Sequence, residues 1–202
     1  GKVLIDQKLL NANYITLSAH KLGGPQGVGA VVTSPTAPLK ALVVGGGQEL
    51  GRRSGTENVA GIAGFGVASI EALAGLGVME EVKNLRDYLE AEIAALAGDK
   101  AIVGSKAERL PNTCCLLLPG VKGETQVMHY DLTGVCVSSG SACSSGKVKV
   151  SHVLGAMGYD DSEADCSIRV SLGYQSTQED VDRFLAAWKN LYERTKARGQ
   201  AS

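Results

Sequence analysis

The chain has 202 residues, 44% of them hydrophobic, which corresponds to a globular protein of one or two domains. Its 20 lysine and arginine residues nearly balance its 21 aspartate and glutamate residues, and the sequence has no basic patch typical of nucleic-acid binding. No apolar run approaches the roughly 20 residues that cross a bilayer, so no membrane partner is expected. Five cysteines are too few for a disulfide scaffold and favour a reducing compartment, which predicts a cytoplasmic protein.

The first distinctive segment is a glycine-rich turn that carries a lysine. Residues 14–17 are predicted to form a buried strand and residues 28–32 a second strand, so the segment between them joins two strands. Its glycines and its proline allow the backbone to approach a ligand closely. Ser18 and His20 offer hydrogen bonds suited to a phosphate, and Lys21 offers an amine that can form a Schiff base. On these residues alone, a glycine-rich hairpin with a solvated lysine is the more common interpretation.

Two helices are predicted after this turn. Residues 58–73 are rich in glycine and alanine, which predicts a helix with a thin side-chain layer suited to close packing. Apolar residues from Val82 to Leu96 recur at i, i+3 and i+4 and predict an amphipathic helix. The break Gly75–Gly77 between the two helices is the best candidate for a domain boundary, with residues 1–76 on one side and 77–202 on the other.

The remainder of the chain alternates strands and helices. The sequence predicts strands at 101–103, 113–118, 135–138 and 167–172, helices at 124–132 and 151–157, and a final helix after Thr177. Thr177 can cap that helix, and Glu179 and Asp180 in its first turn favour the helix dipole. This alternation predicts α/β or α+β layers.

Four of the cysteines have a simple structural interpretation. Cys114 and Cys115 are adjacent, and Cys136 is seven residues from the next cysteine, so no Cys-x-x-Cys pair exists and no metal site is predicted. Cys114 and Cys115 fit a buried strand, where cysteine packs as a small hydrophobic residue. Cys166 precedes the next strand and is expected to pack in the same way.

Cys143 lies in a different environment. Residues 139–146 read Ser-Gly-Ser-Ala-Cys-Ser-Ser-Gly, so the cysteine is surrounded by residues with almost no side chain. Such a loop has little to anchor it. A thiol in such a loop is expected to change position. That property suits a cysteine that accepts an atom at one site and transfers it at another. A surface loop that happens to hold a cysteine is an equally good interpretation of this segment alone.

Four segments in this order and spacing resemble the cysteine desulfurases, which are fold-type I enzymes that use pyridoxal phosphate (PLP). The segments are the Lys21 turn, residues 45–58, the Cys143 loop and residues 167–171. The resemblance runs through essentially the whole chain and is closest to the group that serves iron–sulfur cluster assembly and nitrogenase maturation, whose reactive loop reads Ser-Ser-Gly-Ser-Ala-Cys.

The resemblance implies the α/β fold of the fold-type I PLP-dependent transferases. It assigns residues 1–76 to the C-terminal part of the large PLP-binding domain and 77–202 to the smaller domain that carries the cysteine loop. Members of this family are about twice as long, so the chain is expected to be a C-terminal half, with Gly1 a truncation point. The isolated half is then expected to be catalytically incomplete.

The resemblance also implies a role for each candidate residue. Lys21 would hold PLP and move protons, and Ser18 and His20 would bind its phosphate. Thr56 would reach the phosphate of the neighbouring subunit, which implies a homodimer with shared active sites. Arg169 would bind the substrate α-carboxylate through its planar fork. Outside the family, a strand arginine with an exposed head group is an equally reasonable interpretation of Arg169.

The implied reaction converts L-cysteine to L-alanine. PLP acts as an electron sink, Lys21 moves the Cα proton, and the Cys143 thiolate attacks the substrate sulfur. The resulting persulfide would supply a sulfur acceptor or iron–sulfur scaffold protein. Two alternatives stay open. Another fold-type I enzyme, such as an aminotransferase or a selenocysteine lyase, leaves the cysteine loop unexplained. An incomplete fragment that only docks a sulfur acceptor would expose apolar surface.

Overall fold

The computed structural model describes residues 1–139 and 151–200, with side chains as far as Arg198, and divides into two compact units, Gly1–Gly77 and Val78–Ser202. The first unit contains α1 (Gln7–Leu10), β1 (Tyr14–Ser18), β2 (Gly29–Thr33) and α2 (Val59–Ala74). The second contains α3 (Val78–Ala97), β3 (Ile102–Val103), β4 (Thr113–Leu117), α4 (Gly123–Asp131), β5 (Ser138–Ser139), α5 (His152–Ala156), α6 (Asp161–Asp165), β6 (Ser167–Ser171) and α7 (Gln178–Gln200). The mixture of strands and helices agrees with the predicted α/β class.

Strands β1 and β2 form an antiparallel hairpin, as the sequence predicts. Ser18 at the end of β1 lies opposite Gly29, where a Cβ atom would come within 2.5 Å of the Leu17 carbonyl oxygen. Glycine is therefore required at the start of β2 for the two strands to approach. The expectation of a buried first strand is wrong, because none of the five residues of β1 is buried. Among the described residues the sheet has only two strands, and no residue of either strand is buried.

Helix α2 packs on the hairpin turn through small residues. The Asn58 side chain caps the helix by accepting a hydrogen bond from the Gly61 amide at 3.1 Å. A Cβ atom on Gly64 would lie 2.6 Å from Cγ of Pro25, and one on Gly24 would lie 3.2 Å from Cβ of Ala68. The thin side-chain layer predicted for this helix is therefore what lets it contact the turn closely.

The opposite side of α2 is apolar and exposed. Within the helical stretch Val59–Ala97 the most apolar window has a mean hydropathy of 1.7 and is 6% buried, so by length and composition alone it could cross a membrane. This averaged window differs from the continuous apolar run of about 20 residues that the sequence lacks, and a single such helix is weak evidence for a membrane span. Ser69 and Glu71 interrupt the continuous apolar run, but the surrounding aliphatic residues keep the mean hydropathy high.

The second unit is built on a four-stranded antiparallel sheet with strand order β3-β4-β6-β5. One row of directly paired residues crosses the whole sheet: Val103, Cys115, Arg169 and Ser138. Because side chains alternate between the faces of a sheet, this row and its neighbouring rows project from opposite faces.

The two faces of this sheet contact different helices. Leu116 and Ile168 belong to the main core, together with Leu89 and Ile93 of α3 and Trp188 of α7. On the other face, a smaller cluster joins the sheet to α5 and α6, and its members are Val103, Leu117, Leu154 and Ala164. The main core holds most of the large apolar side chains that the described residues bury.

Three strand or helix predictions differ from the structure. Helix α1 is not predicted, although the Asp6 side chain caps it by accepting from the Lys8 and Leu9 amides. The strand predicted at 135–138 begins only at Ser138, because the Val135 amide donates a hydrogen bond to the Tyr130 carbonyl in the turn that ends α4. Helix α6 is not predicted at all, although Asp160 and Glu163 form a capping box at its start. The predicted cap of the last helix is confirmed, since the Asp180 amide donates to Oγ1 of Thr177 at 3.3 Å.

Candidate functional site

Lys21 lies on the 3₁₀ turn Ala19–Leu22, which directly follows β1. Hydrogen bonds hold this turn at both sides: the Ala19 amide donates to the Val28 carbonyl at 3.1 Å, and the Gly24 amide donates to the Ala19 carbonyl at 2.9 Å. Gly23 ends the turn with a φ of 90°, a conformation that favours glycine. Ala19 is completely buried, whereas His20 and Lys21, the next two residues of the turn, are exposed.

Three polar side chains on this turn have no partner within the described chain. They are the half-buried Ser18 hydroxyl, the exposed His20 ring and the exposed Lys21 amine. A primary amine can bind an aldehyde covalently, and the other two groups can donate hydrogen bonds to a phosphate. The groups present therefore fit PLP, which carries both an aldehyde and a phosphate.

Thr56 lies in the first unit, in the loop that leads into α2. The buried Ser54 hydroxyl donates to the Gly46 carbonyl at 2.7 Å, and the Gly55 amide donates to Oε1 of Gln48 at 3.3 Å. Glu49 has a left-handed backbone with a φ of 49°. The glycine-rich segment is thus folded back on itself by its own polar groups, and the Thr56 side chain that follows it is exposed.

Arg169 lies in the middle of β6 in the second unit and lines a cavity of about 470 Å³. Its side chain is half-buried, and no carboxylate of the described residues forms an ion pair with it. Its partner across β4 is Cys115, whose pKa is raised by burial although the nearby positive charge of Arg169 acts in the opposite direction. The guanidinium of Arg169 is therefore free to bind an anion that enters the cavity.

A second arginine, Arg109, lines the same cavity but has a partner. Its two terminal nitrogens donate to the two carboxylate oxygens of Glu90 at 2.6 and 2.7 Å. Its Nε atom is buried and has no hydrogen-bond partner among the described residues. The hydrogen bonds from Arg109 to Glu90 raise the pKa of this guanidinium.

The structure describes most of the predicted site residues and brings some of them together. Ser18, His20 and Lys21 share one turn, Thr56 lies elsewhere in the same unit, and Arg169 lies in the second unit. Cys143 and the loop around it lie outside the described residues, so its predicted role as nucleophile stays a prediction. Cys114 and Cys166 are buried, in agreement with the packing role expected for them. Within the ranges 1–139 and 151–200, no group of metal-ligating side chains gathers.

The chain belongs to the aminotransferase class-V family, whose family model matches residues 1–184. Proteins of this family are PLP-dependent and have the fold-type I architecture, which is the fold of this chain. Within the family, the chain is similar to proteins named cysteine desulfurase. The predicted fold class and the predicted family are both confirmed.

Two curated relatives define this similarity. The cysteine desulfurase of Cereibacter sphaeroides is 40% identical over 197 residues, which cover 98% of this chain and 50% of that protein. The cysteine desulfurase NifS of Azotobacter vinelandii is 40% identical over 189 residues, which cover 92% of this chain and 46% of that protein. The chain thus spans about half the length of the curated relatives it matches.

Solved structures agree with the sequence relatives. The X-ray structure of a NifS-like protein from Rickettsia africae superimposes with a TM-score of 0.81 at 35% identity, covering 95% of this chain and 51% of that protein. Another structure described as a NifS-like protein gives a TM-score of 0.82 at 34% identity, covering 95% of this chain and 49% of that protein.

The sequence did not reveal the pair of Arg109 and Glu90 or the cavity itself. The two residues are 19 positions apart and belong to a loop and a helix, so no local spacing marks them. His152 is a further cavity-lining residue that sequence reasoning missed. The one available signal was the start of α5, where Ser151 caps the helix and so fixes the position of His152.

Proposed function

We propose that this chain is part of a PLP-dependent cysteine desulfurase, which converts L-cysteine to L-alanine and transfers the sulfur to Cys143 as a persulfide. The observation that carries this proposal is the 40% identity to a protein named cysteine desulfurase over 197 residues. Since the chain covers half of that relative, the rest of the active site is supplied by polypeptide other than these 202 residues.

Lys21, Ser18 and His20 are the residues that would hold the cofactor in this proposal. PLP supplies an electron sink that stabilises negative charge at the substrate Cα. Lys21 provides the amine for the cofactor aldehyde and, once released, accepts the Cα proton of the substrate. Ser18 and His20 donate hydrogen bonds to the phosphate, and Thr56 does the same toward the phosphate of the neighbouring subunit. The absence of any partner for Ser18, His20 and Lys21 within the described chain supports these roles.

Arg169 binds the α-carboxylate of L-cysteine in this proposal. The planar guanidinium can donate two parallel hydrogen bonds to one carboxylate, which fixes the orientation of the substrate as well as its position. The support is that Arg169 lines a cavity and has no ion-pair partner among the described residues. An arginine already paired with a glutamate, as Arg109 is, would be a poorer choice.

Cys143 acts as the nucleophile. Its thiolate attacks the sulfur of the substrate, a sulfur–sulfur bond forms, and the bond between the substrate sulfur and Cβ breaks. The electron pair of the broken bond passes to the former Cβ, which takes up a proton and becomes the methyl group of alanine. The persulfide on Cys143 is then transferred to an acceptor or scaffold protein for iron–sulfur cluster assembly.

The proposal extends to the organisation of the whole enzyme. Residues 1–76 contribute the C-terminal part of the large PLP-binding domain, and residues 77–202 form the smaller domain. The enzyme is a homodimer with shared active sites and is cytoplasmic. Protein, and not lipid, covers the exposed apolar side of α2; the support is that Val59, Val67, Ile70 and Leu73 are exposed in a chain half the length of its relatives.

The decisive experiment measures the mass of the Cys143 peptide under non-reducing conditions after incubation with PLP and L-cysteine. The sample contains this chain co-expressed with the N-terminal half of a cysteine desulfurase relative. We expect the mass of one additional sulfur atom on Cys143, together with one alanine released per sulfur. The gain should disappear in Lys21→Ala and persist in Lys40→Ala, which removes another exposed lysine of the same unit.

A second pair of variants tests whether Cys143, and not another cysteine of the chain, is the nucleophile. Cys143→Ala should abolish alanine release while PLP absorbance remains, whereas Cys136→Ala, which removes an exposed thiol, should leave alanine release unchanged. Bound PLP without any sulfur on Cys143 would refute the desulfurase proposal and favour an aminotransferase-like enzyme.

A further inference from the structure

The cavity in the second unit contains two guanidinium groups that differ in their partners. Arg109 and Arg169 both line it, but only Arg109 forms a bidentate ion pair. The remaining titratable side chains that line the cavity are Cys115 and His152. No carboxylate lines the cavity within the described chain, so Glu90 acts on it only through Arg109.

Arg169 keeps its charge available because its neighbours on both adjacent strands are small and uncharged. Cys115 of β4 and Ser138 of β5 are its direct partners in the sheet register. Burial raises the pKa of the Cys115 thiol, so the thiol stays protonated near neutral pH and offers no negative charge to Arg169. An aspartate or glutamate at either position would pair with Arg169 across the strands.

Arg109 is unavailable to a ligand anion because it is paired with Glu90 on α3. The Glu90 side chain is 10% exposed and the Arg109 side chain 19% exposed, so water screens this pair little. Both terminal nitrogens of Arg109 are occupied by the two oxygens of Glu90. The stem of Arg109 passes close to Gly104, where an added Cβ atom would lie 3.7 Å from its Cδ. The stem of Arg109 therefore lies beside a residue that lines the cavity, and its charge is compensated by Glu90.

We propose that Glu90 is a specificity-determining residue that limits this cavity to ligands with a single carboxylate. Glu90 neutralises Arg109, and among the described residues that line the cavity Arg169 remains the one guanidinium that can bind a ligand anion. This inference deepens the proposed function and rests on it, because a cysteine desulfurase must accept a monocarboxylic amino acid. A dicarboxylic amino acid would bring a second carboxylate into a cavity whose described lining offers it no further free guanidinium.

The first test compares the rates at which Arg109 and Arg169 are chemically modified in the 202-residue chain. Phenylglyoxal modifies free guanidinium groups, and peptide mass spectrometry gives the rate at each position, with the exposed Arg52 as internal reference. We expect Arg169 to react about tenfold faster than Arg109, since modification of Arg109 must first break two charge-assisted hydrogen bonds. Propionate, a monocarboxylate, should slow the modification of Arg169 and leave that of Arg52 unchanged.

The second test removes the charge of Glu90 and keeps its shape. In Glu90→Gln we expect the modification of Arg109 to accelerate about tenfold, because a neutral amide binds the guanidinium less strongly than a carboxylate. At least one of malonate, succinate and glutarate, which differ in carboxylate spacing, should then protect Arg169 at about a tenfold lower concentration than propionate. Glu92→Gln, an exposed position on the same helix, serves as the matched control and should behave as the unchanged chain does.

The outcomes separate this inference from the proposed function. Rapid modification of Arg109 in the unchanged chain, or no effect of Glu90→Gln on it, overturns the role of Glu90 whatever the enzyme does. If Glu90→Gln fails to fold, the modification rates of Arg109 and Arg169 in the unchanged chain still test whether Arg109 is unavailable to ligands. Loss of persulfide formation with the labelling pattern intact would instead count against the desulfurase alone.

Discussion

Arg169 and Arg109 show how the neighbours of a side chain decide what it can do. Both are arginines of the same unit that line the same cavity, yet one is unpaired among the described residues and the other holds Glu90 at 2.6 Å. The difference arises from register and loop geometry: Arg169 lies between Cys115 and Ser138, whereas Arg109 reaches a buried carboxylate on α3. Chemical identity alone does not distinguish the two.

The planar guanidinium of Arg169 leads to a prediction about the kinetic constants. In the reconstituted enzyme, Arg169→Lys keeps the positive charge but loses the planar fork, so we expect KM for L-cysteine to rise about tenfold or more, with a smaller change in kcat. Steady-state alanine release gives both constants. Arg183→Lys on the exposed face of α7 is the control and should change neither constant. An unchanged KM in Arg169→Lys would remove Arg169 from the substrate site.

At the scale of single elements, several helices of the second unit begin with polar caps. Asp160 caps α6, Ser151 caps α5 and Thr177 caps α7 together with Asp180. These caps satisfy backbone amides that have no partner inside a helix. For a helix of five residues such as α6, the cap satisfies a large share of the backbone groups.

The cap of α7 leads to a prediction about pH. The backbone hydrogen bond from the Thr177 amide, and then that from its hydroxyl, lower the pKa of Asp180. A carboxylate with a lowered pKa in the folded state stabilises the protein above its unfolded pKa of about 3.9, and this contribution is lost as the pH falls through the folded value. We therefore expect Asp180→Asn to be less stable than the unchanged chain at pH 7, with the difference shrinking below about pH 4.

Urea unfolding at several pH values, followed by fluorescence of Trp188, measures this difference. Asp131→Asn, which removes an exposed carboxylate in the last turn of α4, is the control and should not lower the stability at pH 7. If the Asp180→Asn deficit stays constant from pH 7 to pH 3, the hydrogen bonds of its carboxylate do not stabilise the helix.

The start of α4 gives a prediction about close packing. A Cβ atom on Gly123 would lie 2.5 Å from the Ser167 carbonyl oxygen, a backbone atom of β6 that cannot easily move. We expect Gly123→Ala to lower the free energy of unfolding by about 1–3 kcal/mol, since overpacking forces backbone shifts. Gly155→Ala in α5 is the matched change, because no described atom lies within 4 Å of the added methyl group. It should raise the free energy by about 0.5–1 kcal/mol.

Chemical denaturation of both glycine variants tests the comparison. A loss of stability in Gly155→Ala equal to that in Gly123→Ala would show that the contact with Ser167 is not responsible.

At the scale of the whole molecule, the two units differ in how much they bury. The largest completely buried side chains, Trp188 and Tyr130 among them, all belong to the second unit. In the first unit the buried apolar residues are Ala19, Phe65 and Ala68, while Leu42 is 95% exposed and Leu50 is 91% exposed. A unit with so little buried apolar surface is weakly stabilised, and its exposed face favours association.

This difference predicts that residues 78–202 fold without the rest of the chain. We expect a single cooperative urea transition for this fragment, reported by its buried tryptophan, because both of its apolar clusters lie within it. The 202-residue chain should bind the hydrophobic dye ANS more strongly than the fragment does. A fragment without a cooperative transition would mean that the second unit depends on the first.

The site shows how far local reasoning reaches. The sequence placed Ser18, His20 and Lys21 on one turn between two strands, since they are consecutive or nearly so and bounded by glycines. It could not separate the paired Arg109 from the unpaired Arg169, because that distinction depends on residues far away in the chain. The prediction that β1 is buried was also wrong. An apolar sequence pattern indicates that a strand packs against something, but it does not show whether the covering residues belong to the same chain.

The sequence by itself determined the family, most of the strands and helices along the chain and the candidate residues that lie in the family's motifs. It could do so because motifs, caps and hydrophobic periodicity are properties of neighbouring residues. Only the tertiary structure decided the strand order, the row that joins Cys115, Arg169 and Ser138, and the pairing of Arg109 with Glu90. These features depend on contacts between residues distant in the chain, and those contacts are fixed by which apolar faces pack together and which charges are buried with a partner.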